Sequence, residues 1–198
     1  MTTRTSALTA GVLAMITLGG CTSTDGRAPD GSVPSPRGSG DPGLPPRARE
    51  VSVRGVDPCS LLTTEQLNRL KENGIPRLLP EDTRRDGPTC AFDVDATTPS
   101  YTYYLEVIAT ADLHDWIEGG HFKASMTREP VNVPGFPALI HYAPSRGVPD
   151  CETLVGVAEG QTLRAETAPD GNTFTRQQLC DMSTTVAKMA VETLETFR

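Results

Sequence analysis

The chain has 198 residues, 25 acidic against 18 basic side chains and a formal charge of −7, with 37% hydrophobic and 5% aromatic residues. That length and apolar content suit one domain-sized core. The acid excess argues against nucleic acid as a partner, because such binding neutralises phosphates with lysine and arginine, and it predicts repulsion from anionic lipid headgroups.

The first twenty residues carry one early charge, Arg4, then an apolar run from about Ala7 to Leu18, then Leu18-Gly19-Gly20-Cys21. A short apolar stretch followed by small residues is the layout of a secretory signal. It is too short and too glycine-broken to cross a bilayer, which takes about 20 apolar residues. Leu-Gly-Gly-Cys resembles the lipobox of bacterial lipoproteins, in which the cysteine thiol is acylated and the signal is cut just before it. Residues 1–20 are therefore expected to be a lipoprotein signal peptide and Cys21 a lipidated residue carrying palmitate-type chains. Arg4 has no arginine neighbour, which fits export in the unfolded state better than a twin-arginine route. Two or three acyl chains make an anchor effectively permanent, where one is only reversible. The expected location is the extracytoplasmic face of the cell membrane.

Residues 22–55 are crowded with proline, glycine and serine and hold almost no large apolar side chain. Such a segment cannot bury enough surface to offset its ordering entropy, so 21–55 is expected to be a lipidated cysteine followed by a disordered tether. Thirty-four residues span roughly 30 Å as a coil and about 100 Å in polyproline II form. The globular domain is expected over 56–198, where 12 basic residues face 21 acidic ones.

Within that domain Thr63-Thr64-Glu65-Gln66 reads as a capping box, with Leu62 and Leu67 as a hydrophobic staple. The helix it opens should end near Asn73, with Gly74 as a left-handed cap and Pro76 beyond. Thr89–Val94 and Tyr101–Ala109 read as strands, the second with Tyr103, Leu105 and Val107 on one face and Tyr104, Glu106 and Ile108 on the other. Asp112–Glu118 reads as a short helix stopped by Gly119-Gly120, and Val133–Pro137 as a rigid turn. Ala138–Ala143, Cys151–Ala158 and Gln161–Thr167 read as strands, the last two forming a hairpin around Glu159-Gly160. A second capping box, Thr175-Arg176-Gln177-Gln178 with Phe174 and Leu179 as staple, opens a C-terminal helix. Its stripe of Leu179, Met182, Val186, Met189, Ala190, Leu194 and Phe197 should face a core. Long crossover helices are mostly missing, so the expected fold is α+β, an antiparallel sheet with helices packed on one face.

Cys59, Cys90, Cys151 and Cys180 all fall in this domain, and an even number in an exported chain implies two disulfides. Four cysteines allow three connectivities. Cys59–Cys90 and Cys151–Cys180 are expected because each closes a loop of about thirty residues, worth about 3–4 kcal/mol by chain entropy, and ties a helix to a nearby strand. No C-x-x-C occurs, which disfavours a metal or redox site.

Asp57-Pro58-Cys59-Ser60-Leu61-Leu62-Thr63, Thr89-Cys90-Ala91-Phe92, Val133-Pro134-Gly135-Phe136-Pro137-Ala138, a strand through Cys151 and a C-terminal helix through Cys180 together resemble the domain-of-unknown-function family 3558. Those are actinobacterial lipoproteins. The resemblance covers about 56–198 plus the lipobox. It implies an envelope location and assigns no chemistry.

Catalytic constellations are absent from the pattern. His114 and His121, near Asp112, Asp115 and Glu118, could be imagined as a zinc or hydrolase site. Gly119-Gly120 breaks the helix between them, and polar loop histidines are the favoured reading. No Gly-x-Ser-x-Gly or Ser-x-x-Lys is present. Trp116, the only tryptophan, could be a platform for a sugar or partner, but is better read as the core anchor of a short amphipathic helix with Leu113 and Ile117. Tyr104 carries the same ambiguity, and Arg84-Arg85 reads as a solvated turn. The expectation is a non-catalytic, membrane-anchored module that binds an envelope protein or small ligand and takes no cofactor. Tyr104, His114, Trp116 and His121 are its candidate contact residues. The alternatives are an envelope hydrolase-like enzyme using the 112–121 segment and a structural spacer.

Overall fold

The computed structural model describes residues 43–144, 149–171 and 173–197. Cys21, the expected signal at 1–20 and most of the expected tether lie outside them. A 3-10 turn, Pro58–Ser60, leads to α1 (Thr64–Leu70), β1 (Arg77–Leu78), β2 (Thr89–Val94) and β3 (Tyr101–Ile108). Then come α2 (His114–Ile117), β4 (Thr127–Pro130), β5 (Ala138–Tyr142), β6 (Glu152–Ala158), β7 (Gln161–Pro169) and α3 (Arg176–Leu194). The seven strands form one antiparallel sheet in the order β1-β2-β3-β7-β6-β5-β4.

Strand alternation divides the buried residues into two sets. Phe92 and Val94 from β2, Tyr103, Leu105 and Val107 from β3, Val155 and Val157 from β6, and Leu163 and Ala165 from β7 share the main core with α1 and α3. Ile108, Leu139 and Leu154, of the opposite parity, pack instead with Ala111, Leu113 and Trp116 around α2. The expectation that all helices share one face is therefore corrected. The α2 segment has its own apolar side, Leu113-Trp116-Ile117, and that side covers the patch which Ile108, Leu139 and Leu154 present on the second face.

Both capping boxes form. Thr63 Oγ1 accepts from Gln66 N and Thr175 Oγ1 from Gln178 N, each at 3.3 Å, and each glutamine returns the bond to its cap's N–H. Gln66 also docks α1 on α3: its Nε2 donates to Met189 O at 3.0 Å, and its Oε1 accepts from Thr193 Oγ1 at 2.9 Å. The helix ends earlier than expected. Lys71, not Gly74, takes the left-handed conformation, at φ 62°, and Glu72 N then closes on Leu67 O at 3.1 Å.

Disulfides join Cys59 to Cys90 and Cys151 to Cys180, the expected pairing. The first fastens the 3-10 turn to β2, and the second fastens the entry of β6 to α3.

The expected tether boundary at residue 55 also moves. Val51 and Val53 belong to the main core, and Leu44 packs against the α2 cluster. A bulge between Gly156 and Ala158 interrupts the β6–β7 ladder. The incoming chain bonds the carbonyls there: Arg47 Nε donates to Gly156 O and Val51 N to Val157 O, both at 2.9 Å. Gln161 Oε1 accepts from Val53 N at 2.9 Å and Ser52 Oγ at 3.0 Å. Composition alone suggested a free linker, but two valines and a row of backbone donors suffice to seat residues 44–53.

Candidate functional site

The face of the sheet that carries α2 is only partly apolar. Cross-strand register builds one transverse row on it: Ala91, Tyr104, Glu166, Glu152, His141 and Arg128, from β2 across to β4. The neighbouring row runs Thr89, Glu106, Arg164, Leu154 and Leu139. The α2 segment closes over Leu154 and Leu139. The polar half is left as a shelf in the middle of the sheet, lined by Tyr104, Glu106, Glu152, Arg164 and Glu166.

Arg164 organises the shelf. Its side chain is 13% exposed, and each guanidinium nitrogen faces a different carboxylate: NH2 bonds Glu106, NH1 stands 3.4 Å from Asp86 and Nε 3.6 Å from Glu152. Burial works against the Arg164 charge, yet Glu152, Glu106 and Asp86 together hold its pKa above the ordinary guanidinium value. Glu106, 1% exposed, also accepts from the backbone N–H groups of Asp86 at 2.5 Å and Gly87 at 2.8 Å. Burial raises the Glu106 pKa, and Arg164 and those N–H groups pull against it. Glu106 thereby pins the loop before β2, and Gly87 makes that fit feasible. A Cβ there would fall 2.0 Å from Val107 O.

The loop brings Arg85 over Tyr104, 4.8 Å from the ring centroid, and 3.9 Å from Glu106. Arg85 thus belongs to the shelf, a correction to its reading as a solvated turn; Arg84 pairs with Asp82 at the exposed surface. On the other side, Glu152 Oε1 stands 2.5 Å from His141 Nδ1, while His141 Nε2 is buried without a partner among the described residues.

Glu166 is the residue left over. It lies directly opposite Glu152 in the ladder, and among the described residues it has neither an ion pair nor a hydrogen bond. Burial, and then the Glu152 charge, raise its pKa against the weaker opposing pull of Arg164 and Arg85. Four carboxylates, Asp86, Glu106, Glu152 and Glu166, therefore share two guanidinium groups, those of Arg85 and Arg164. Among the described residues the shelf therefore holds more carboxylates than guanidinium groups. No group of three or more potential ligands placed to hold a metal occurs among the described residues.

Of the residues singled out from sequence, Trp116 and His121 come together, while Tyr104 and His114 each face another partner. Tyr104 lies under Arg85. His121 stacks on Trp116, with ring centroids 4.4 Å apart, and its Nδ1 stands 3.7 Å from Asp86. Trp116 itself is 2% exposed, so the contact role is corrected to the anchoring one. His114 points to a different partner, Glu118 at 2.7 Å, on the exposed side of α2. Sequence reasoning missed Glu166, Glu152, Arg164 and His141. Their signal was weak but present: charged residues alternating inside strands that otherwise read as buried.

A pocket of about 250 Å³ lies beyond Arg128, lined by Gly43, Leu44, Ile117, Arg128, Glu129, Pro130 and Leu139. Its two charged side chains are already engaged. Arg128 donates to Lys123 O at 3.2 Å and covers Phe122, and Glu129 accepts from Tyr142 at 2.6 Å. The shelf, where Glu166 has no ion pair or hydrogen bond among the described residues, is the better candidate.

A family model described as a protein of unknown function (DUF3558) matches residues 16–193. The match takes in Leu18–Cys21, residues 44–53, all four domain cysteines and every residue of the shelf. No curated protein and no solved structure matches the chain.

Proposed function

The chain belongs to the DUF3558 family, and from that premise we propose that it is an actinobacterial envelope lipoprotein, held to the outer face of the cell membrane through Cys21, whose domain is a non-catalytic binding module. The anchor is supported by Leu18-Gly19-Gly20-Cys21 after a short apolar run. The binding role is carried by one observation: Glu166 stands opposite Glu152 in the middle of the sheet, part-buried and, among the described residues, without an ion pair or hydrogen bond. Holding two carboxylates in that position costs stability, and a cationic group from outside, an ammonium or a guanidinium, would relieve it. Tyr104 flanks the pair with an aromatic edge. The partner this chemistry fits is a basic side chain of an envelope protein or a small amine.

Native mass spectrometry of the protein extracted from its own membranes tests both parts. The expected result is an acylated chain starting at Cys21 with an additional mass that is lost on unfolding and is absent from Glu166→Gln. Absence of acyl mass at Cys21 would refute the anchor; an additional mass equally present in Glu166→Gln would refute the shelf as its site.

One observation favours a hydrolase-like alternative. Glu152 and His141 form a carboxylate–imidazole pair beside Glu166, whose raised pKa suits a proton donor. Turnover of an envelope substrate that is abolished by His141→Gln, with the domain still folded, would establish that reading over the first.

A further inference from the structure

Residues 44–53 run from one face of the sheet to the other. At one end Val51 and Val53 are buried in the main core; at the other Leu44 packs, only partly buried, on the α2 cluster. Arg47 lies between. Its Nε holds Gly156 O at 2.9 Å, and its NH2 stands 3.6 Å from Asp112 Oδ2. Asp112 sets the start of α2: Oδ1 accepts from His114 N at 3.3 Å, Oδ2 from Gly160 N at 3.0 Å, and its own N–H donates to Asp115 at 2.8 Å. The same helix carries Trp116, which stacks on His121, and His121 faces Asp86, one of the three carboxylates around Arg164.

We propose that the segment from Leu44 to Arg47 is a latch that keeps residues 112–122 closed against the Asp86 edge of the shelf, and that its release opens this edge. The physical basis is a gradient of attachment. The Val51–Val53 end is sealed in the core, whereas among the described residues the Leu44–Arg47 end is held by one partly buried apolar side chain and a few bonds, so it is the end that opens locally first. The α2 segment is four residues long and is held by tertiary contacts; Leu113 and Trp116 pack it on the sheet, and Leu44 and the Arg47–Asp112 pair add the contacts at its start. The latch rests on the reading of the shelf as the binding face: release of residues 112–122 would bare its Asp86 edge.

Hydrogen exchange on the full-length chain tests this. Arg47→Ala and Leu44→Ser should each accelerate exchange at least tenfold in residues 112–122, and measurably in 85–88, with α1 and α3 unchanged. Val51→Ala, which loosens the sealed end without touching Asp112, should not produce that local pattern. Unchanged exchange in 112–122, or the same acceleration in every element, would overturn the latch. The two readings fail separately. Local opening with ligand capture insensitive to Glu166→Gln would keep the latch and remove the shelf; capture lost in Glu166→Gln with no opening in Arg47→Ala would do the reverse.

Discussion

Replacing Arg164 with methionine should be among the costliest single changes in the domain. The guanidinium is 13% exposed, and Glu106, its closest partner, is 1% exposed. Removing one member of such a buried pair leaves an uncompensated charge, at a cost of about 3–5 kcal/mol. Glu106 keeps the N–H groups of Asp86 and Gly87, which argues for the lower part of that range, about 3 kcal/mol. In a domain of this size that corresponds to a Tm about 6–12 °C lower. Urea unfolding followed by the fluorescence of Trp116, the only tryptophan and a buried one, reads it directly. The double variant Arg164→Met/Glu106→Gln should regain more than half of the loss, because glutamine removes the stranded charge and still accepts from the loop. The pH dependence has a definite sign. Burial already holds the Glu106 pKa above its ordinary value, so its contribution is fully present in acid and is lost as pH rises through the folded pKa. Without Arg164 that loss deepens, and the penalty of the single variant should shrink towards pH 4. A loss under 1 kcal/mol, or a double variant no better than the single, would refute the buried-pair argument.

Glu166→Gln should stabilise the domain by about 0.2–1 kcal/mol at neutral pH, since it removes a like charge directly opposite Glu152. Because burial and Glu152 raise the wild-type pKa, the wild type loses ground as pH rises through its folded value; the advantage should vanish below about pH 4 in paired melting curves. A variant that is more stable yet binds less cannot owe its lost binding to misfolding. Lys71→Gly should add roughly 0.5–1 kcal/mol by relieving a left-handed residue at the end of α1, measured as a shift in urea midpoint. Gly87→Ala should displace the loop before β2, because the new Cβ would overlap Val107 O; amide exchange at Asp86 and at position 87 should rise sharply while that of α3 does not.

Much of the frame was legible because it rests on local rules. The two Thr-x-x-Gln boxes specify hydrogen bonds within four residues, so they predict helix starts at Thr64 and Arg176 without reference to the rest of the chain. Strand alternation from Tyr101 to Ile108 separates two faces from sequence alone, and Gly160, at φ 67°, fits the β6–β7 turn that its position announced. Loop length suggested a disulfide pairing that the fold then realised. Short elements escaped. The two residues of β1 and the four of β4 carry no periodic signal, and pairing with β2 and β5 is what makes them strands.

The shelf was decided by tertiary structure. Glu166, Glu152 and His141 come from three strands, and only the register β7–β6–β5 makes them neighbours; a one-residue slip would turn Glu152 to the opposite face. Residues 44–53 show the same limit from the other side. Their composition reads as linker, because the sequence does not reveal that a bulge at Gly156–Ala158 puts carbonyls within reach of Arg47 and Val51. The amino-acid order by itself determined where helices begin, which strand residues share a face and how many cysteines can pair. Which charges meet depended on long-range register, since a charge buried on a sheet acquires its partners from other strands.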